Sequence, residues 1–228
     1  MKAAYAVYLA VMALVVAWIV ATPLLAMSGN PAASAGYEAG KYICHQKISR
    51  SYCLFSQPYF GIGDCTPQAG IYRNDIRSEI CADGKGEVRE NCLGLQGYGY
   101  KFPVSARDMA IYFGMFAGAA SFPLFWKIGS RQVPHWIWLV IAILPLAVDG
   151  ITQYLGWRES ANYIRAGTGL LAGIAMSLYF IPILNRLAGG EKGMEKEADI
   201  EGWKTLAAAI AVFAFVYFAM VFLMHPGI

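Results

Sequence analysis

The chain has 228 residues, of which 57% are hydrophobic and 14% charged, with a formal net charge of +3. Apolar residues gathered into long blocks describe an integral membrane protein. So small and scattered a charge gives no basis for a nucleic-acid partner.

Five blocks approach the roughly 20 residues that cross a hydrocarbon core of about 30 Å. They are centred on residues 5–26, 108–126, 135–154, 165–183 and 204–224. Lipid offers no partner to an unpaired backbone amide, so each block is predicted to be a helix. The first starts with Met1-Lys2 and is followed by small residues near Ala26 to Ser28, as in a cleaved signal peptide. Its apolar run is too long for the usual core of such a peptide, which favours an uncleaved anchor.

The segment that follows reads as a small, irregular domain rich in Gly, Pro, Tyr and Cys, with turn signals at Gly61-Ile-Gly63-Asp64 and Ala82-Asp83-Gly84. It is too short and too poor in aliphatic residues to build a large core of its own. It holds all five cysteines, Cys44, Cys53, Cys65, Cys81 and Cys92. The preferred assignment pairs the last four among themselves, in one of three connectivities, and leaves Cys44 free. The alternative puts Cys44 in a bridge and leaves another thiol odd.

Gly114 to Gly118 and Gly169 to Gly173 carry the GxxxG spacing that lets helix backbones approach, which reads as packing seams inside a bundle. Pro145 lies four residues before Asp149 and is expected to bend the third span, either to open space for a ligand or to accommodate a neighbour. The run from Lys192 to Glu201 has charges of both signs and reads as a solvated face. Nucleotide-binding loops, a nucleophile elbow and the HExxH metalloprotease pair are absent from the sequence.

The fold class is therefore all-α membrane protein, with about five transmembrane helices and a Cys-containing outer domain between the first and second. The expected divisions are an anchor helix over 1–27, an extracytoplasmic segment over 28–106 and a three-helix membrane core over 107–184. A charged loop over 185–203 and a final membrane helix over 204–228 complete it. Lys2, the Lys127 to Arg131 turn and the segment from Arg186 to Lys204 fall on one side, which the positive-inside rule makes cytoplasmic. The N-terminus is then cytoplasmic in the cell membrane, and the Cys-containing segment is outside. Arg158 and Arg165 break the rule in a short outer loop, which asks for a local reason.

Asp149 lies inside an apolar span, and an intramembrane carboxylate is by default a functional-site hypothesis. Asp149 and Gln153 are one turn apart. Arg158, Asn162, Arg165 and Gly169 step by four, three and four, so a helix beginning near Glu159 would line them on one face. Arg107-Asp108 enters the second span from the outside. The outer ends of three spans thus carry polar groups that are expected to converge.

Cys44-His45-Gln46 with Arg50-Ser51, the block from Pro103 through Ser105, Arg107, Asp108 and Tyr112 to Gly114, and the block Asp149-Gly150, Gln153, Gly156, Arg158, Ser160, Asn162, Arg165 and Thr168-Gly169 carry a resemblance. Over about residues 40–183 the chain resembles a family of uncharacterised prokaryotic membrane proteins, numbered 2085 among the domains of unknown function. The resemblance implies no established activity. In many members the second block carries two cysteines that, with Cys-His of the first, would make a four-ligand site for zinc or another soft metal. Here those positions are Ser105 and Asp108, which leaves Cys44, His45 and Asp108 as a three-ligand set acceptable to zinc.

Guanidinium groups bind phosphate oxygens bidentately, and carboxylates beside them can hold magnesium. The leading expectation is an outward-facing site for a phosphorylated lipid, a polyprenyl phosphate or a phospholipid, with metal-dependent hydrolysis or transfer as its reaction. His45, Asp108 and Asp149 would be catalytic; Arg50, Arg107, Gln153, Arg158, Asn162, Arg165 and Thr168 would bind the substrate. The plain alternative is a structural network in which Asp149 neutralises Arg158 or Arg165. Two other classes are an accessory subunit that docks a membrane-protein partner or a second copy through its outer domain, and a small transporter or channel.

Overall fold

A computed structural model describes residues 2–44, 50–55, 60–65, 100–189 and 202–224. The chain is mostly helical, and five of its helices are long and apolar enough to span a membrane. In chain order they are α1 (Lys2–Met27), α3 (Ala106–Phe125), α4 (Trp136–Tyr154), α5 (Asn162–Gly189) and α6 (Gly202–Met224). They overlap the five apolar blocks, because hydropathy sets roughly where a span lies, while capping turns set where its helix stops. The run from Lys192 to Glu201 lies outside the described residues.

Between α1 and α3 the chain is more regular than its composition suggests. It holds a short helix, α2 (Ala32–Lys41), and three strands, β1 (Tyr52–Phe55), β2 (Gly61–Asp64) and β3 (Tyr100–Lys101). The strands form an antiparallel sheet in the order β2-β1-β3. The Gly61-Ile-Gly63-Asp64 stretch, which reads as a turn, is strand β2 instead. Pairing with β1 supplies its amides with partners that local glycine content cannot reveal. A disulfide joins Cys53 to Cys65, Cys44 is a free thiol, and Cys81 and Cys92 lie outside the described residues. That disulfide agrees with the preferred assignment as far as the described residues reach.

The chain divides into two compact units. The first comprises residues 1–16, 110–160 and 164–219. Here α5 is the central helix, with Leu170, Ile174, Leu178 and Ile181 fully buried. It meets α3 by bare backbone: a Cβ on Gly114 would strike the carbonyl of Leu170, one on Gly173 the carbonyl of Ile111, and one on Gly118 would lie 2.8 Å from that of Ile174. The glycine spacings are therefore packing seams, as their pattern suggests. The first turns of α1 join them through side chains. Tyr5 donates to the Ala119 carbonyl at 3.1 Å. Ser177 gives its only proton to the Met115 carbonyl, so the 2.7 Å bond between Tyr8 and Ser177 has the tyrosine as donor. At the opposite end, Asn185 donates to the carbonyls of Ile128 and Ser130, and Arg131 to that of Gly189. Helix α4 runs unbroken through Pro145.

The second unit comprises residues 17–109, 161–163 and 220–228. The end of α1 packs on α2, where Trp18 donates to the Gly36 carbonyl and Gly36 sits against Thr22. Helix α1 closes with Gly29 at φ +70°, while Gly29 and Asn30 donate back to Ala26 and Leu25. That is a Schellman stop, which needs the left-handed conformation glycine allows. The phenol of α2's Tyr37 donates to the Lys101 carbonyl at 2.5 Å, tying the helix to the sheet.

Overpacking a core costs about 1–3 kcal/mol where side chains can yield. At Gly173 the obstacle is backbone, so Gly173→Val is expected to destabilise by about 3 kcal/mol or more. Gly167→Ala, whose Cβ would meet Tyr217 at an ordinary 3.4 Å, is expected to be neutral or slightly stabilising. Thermal unfolding midpoints in detergent for the two variants check this; equal midpoints would show that close backbone approach is not what holds α3 to α5.

Candidate functional site

In the first unit the polar residues that gather most tightly lie at the α4–α5 connection. Asp149, one turn before the end of α4, is 1% exposed. Its Oδ1 accepts from Nη2 of Arg158 and from Oγ of Ser160, both at 2.6 Å. Arg158 also donates Nε to Oγ1 of Thr152 at 3.2 Å, and Thr152 in turn donates to the Val148 carbonyl. Gln153, which shares α4 with Asp149, donates to Glu159 at 3.2 Å.

This arrangement follows from how α4 stops. Gly156, at φ +71°, and Trp157 donate to the carbonyls of Gln153 and Thr152, which is a second Schellman motif. The chain therefore leaves the helix at Leu155 and α5 begins only at Asn162. Arg158 is a connection residue, not the first member of a cationic helical face. A stop at Gly156 turns the chain back so that Arg158 and Ser160 reach the carboxylate they have just passed. The expectation of a helix starting near Glu159 is corrected on that ground.

Thr168 donates to the Ile164 carbonyl of its own helix at 2.8 Å, a back-bond that satisfies its hydroxyl locally. Arg165 is buried, at 3% exposed.

In the second unit Asn162 donates to the Ser51 carbonyl at 3.3 Å and to Oδ1 of Asp64 at 3.0 Å. Ser51 also accepts from the amide of Cys65, so both bonds meet beside the disulfide-closed hairpin. Asn162 thus staples the start of α5 to the sheet. Asp108 lies one turn into α3, where its amide donates to Oγ of Ser105 and its Oδ2 accepts from that hydroxyl at 2.7 Å. This is a capping exchange, and a carboxylate in the first turn also suits the helix dipole. Arg50 and Arg107 are half-buried, as is Cys44, and His45 lies outside the described residues. Among the described residues, no three His, Cys, Asp or Glu side chains are close enough to hold a metal ion.

Thr152 and Asp64 are site partners that sequence reasoning missed, and Ser105 and Ser160, which it noted only as residues of the resemblance, had no role assigned. The Ser-x-x-Asp spacing before an apolar run signals Ser105. The bonds of Ser160 and Asp64 depend on a turn and a sheet that local pattern does not encode.

Lys101 is a feature the sequence leaves unmarked. It is 8% exposed, its ammonium donates to the Phe102 carbonyl at 2.9 Å, and burial pulls its pKa down to about 8, with charge at Cys44 opposing the shift. Burial also raises the Tyr37 phenol above its ordinary range.

These features define a multi-pass membrane protein with a polar, disulfide-containing segment between its first two spans. The family model described as "Predicted membrane protein (DUF2085)" matches residues 90–179, which include Ser105, Asp108, Asp149, Arg158 and Asn162. An uncharacterized protein of Methanothermobacter thermautotrophicus is 36% identical over 81 residues, 35% of this chain and 70% of that protein. The uncharacterized protein MJ1492 of Methanocaldococcus jannaschii is 41% identical over 86 residues, 38% of this chain and 55% of that protein, so the chain spans about half the length of this relative. The protein belongs to this uncharacterised membrane-protein family. No solved structure matches it.

Lys101 makes the second unit's stability depend on pH. Its folded pKa is below the unfolded 10.5, so above pH 8 the unfolded state binds more protons and stability rises with pH. Below pH 8 the cost is about 3 kcal/mol. The rise is expected between pH 8 and 10, beyond which ionisation of Tyr37 on unfolding reverses it. Thermal midpoints measured across that window should rise for the wild type and stay flat for Lys101→Met; parallel profiles would refute the assignment.

Proposed function

We propose that the α4–α5 connection is an outward-facing site at the membrane interface for a lipid-borne phosphate, a polyprenyl phosphate or a phospholipid. The observation that carries this reading is the state of Arg158. Its side chain is 40% exposed while Nε and Nη2 are held by Thr152 and Asp149. Among the described residues these are its two side-chain partners, and the N–H groups of Nη1 remain for an anion. Guanidinium groups suit phosphate because parallel N–H bonds match its oxygens. Beside it Tyr154 is 90% exposed and Trp157 74%, the amphipathic residues that sit at headgroup level. Asp149 is the positioning residue: it neutralises one edge of the guanidinium and aims the other outward.

The orientation follows the loop charges, with the N-terminus cytoplasmic and the α4–α5 connection and Cys-containing segment outside. Hydrolysis or transfer of the phosphate would need more than Arg158. A divalent ion, zinc or magnesium, held by Cys44, His45 and Asp108 is the extension that would supply it. Two donors fit that role in part: Cys44 is not disulfide-bonded, and among the described residues the exchange of Asp108 with Ser105 uses only its Oδ2.

Binding is expected to depend on Arg158 and on the lipid tail. In neutral-lipid nanodiscs, at a temperature where both proteins are folded, Arg158→Gln should weaken retention of a polyprenyl phosphate at least ten-fold, and it should also lower the thermal midpoint because Asp149 loses its cation. Retention equal to wild type would remove the reading. Metal content of the purified protein addresses the extension: stoichiometric zinc lost in both His45→Ala and Asp108→Ala supports it, and zinc retained in either variant overturns the ligand set.

A further inference from the structure

The opposite ends of the same spans hold a feature that the phosphate site does not use. Where α3 gives way to its connection with α4, residues 123–129 line a shallow depression of about 560 Å³ that is largely open to its surroundings. Its walls include Pro123, Leu124, Phe125 and Trp126, and its polar lining residue with a charge is Lys127. Leu124 is 80% exposed and Phe125 43%, so the wall is apolar and open at the side where a span meets headgroups.

The cations gather here. Asn185 draws the carbonyls of Ile128 and Ser130 onto the last turns of α5, which brings Arg186, exposed on that helix, to the end that carries Lys127. Arg131, in the same connection, donates to the Gly189 carbonyl at the end of α5. From Met109 to Val148 and from Ser160 to Gly189 the sequence has no Asp or Glu. Glu191, Glu195, Glu197, Asp199 and Glu201 follow in sequence and lie outside the described residues. An open apolar surface at the end of a span, with Lys127 and Arg186 at that end, suits an amphiphile with an anionic head.

We infer that the α3–α4 connection seats an acidic phospholipid from the leaflet on that side, its phosphate between Lys127 and Arg186 and an acyl chain along Leu124 and Phe125. A basic residue near an anionic headgroup strengthens binding by about five-fold. The site is separate from the one at Arg158, and it stands or falls independently of it.

The test uses the full chain in nanodiscs of phosphatidylcholine containing 10–20% phosphatidylglycerol (on the order of the acidic fraction that produces a surface potential), with lipids retained after extraction counted by native mass spectrometry. Wild type is expected to enrich phosphatidylglycerol at least five-fold over phosphatidylcholine. Lys127→Gln with Arg186→Gln should abolish the enrichment, Phe125→Ser should reduce it, and Arg158→Gln should leave it intact. Absence of enrichment in the wild type, or enrichment that survives the double variant, overturns the inference. So does displacement of the lipid by soluble glycerol phosphate at equal concentration, which would make the ligand a free phosphate. Enrichment that appears only when Glu191, Glu195 and Glu197 are changed to Gln also overturns it, because the chain's own acidic segment would then be the occupant.

Discussion

Apolar helix surfaces gain little by leaving lipid for one another, so what fixes α5 against α3 is an approach of bare backbone at Gly114, Gly118 and Gly173. Dispersion contacts and short polar bonds become available only once the two axes come this close. Ser177 of α5 donates to the Met115 carbonyl of α3 across that seam, and Tyr8 of α1 donates to Ser177 beside it. Helix α5 is consequently the axis of its unit, and the ends of that helix are where the chain can place charge. Asn185 organises one end by collecting carbonyls of the α3–α4 connection. The α4–α5 connection, closed by Asp149, precedes the other.

Asp149 illustrates how a carboxylate survives in such a place. Leaving it alone in an apolar span would be costly, and a single partner on a long side chain would leave part of that cost. Two donors to one oxygen, Arg158 and Ser160, arrive together because a Schellman stop at Gly156 reverses the chain between them. The same pair gives a local reason for a cation in a short loop beside an apolar span. Arg158 is there because Asp149 is, and part of its side chain stays exposed.

The segment between α1 and α3 depends on another economy. It is too small to stand on a hydrophobic core, and it draws its order from strand pairing, one described disulfide and the side chains of its neighbours in the chain. Asn162 contributes both protons of its amide to the hairpin, while Tyr37 and Lys101 bury polar groups that would otherwise seek water. The depressed ammonium of Lys101 is the cost of that arrangement.

Much of this was legible in the residues, and the division has a physical basis. The sequence by itself determined that there are five spans and roughly where they lie, because transfer of apolar side chains into lipid depends on local composition and length. It determined the glycine seams and the presence of Asp149 within a span for the same reason: both are properties of a single helix read along its axis. Tertiary structure decided the partners. That Asp149 meets Arg158 and Ser160, that Asn162 reaches the hairpin of Ser51 and Asp64, and that Gly61 to Asp64 form a strand all depend on turns and pairings between residues distant in sequence. A hydrogen bond is decided by the position of both its ends, and periodicity along one helix places only one of them.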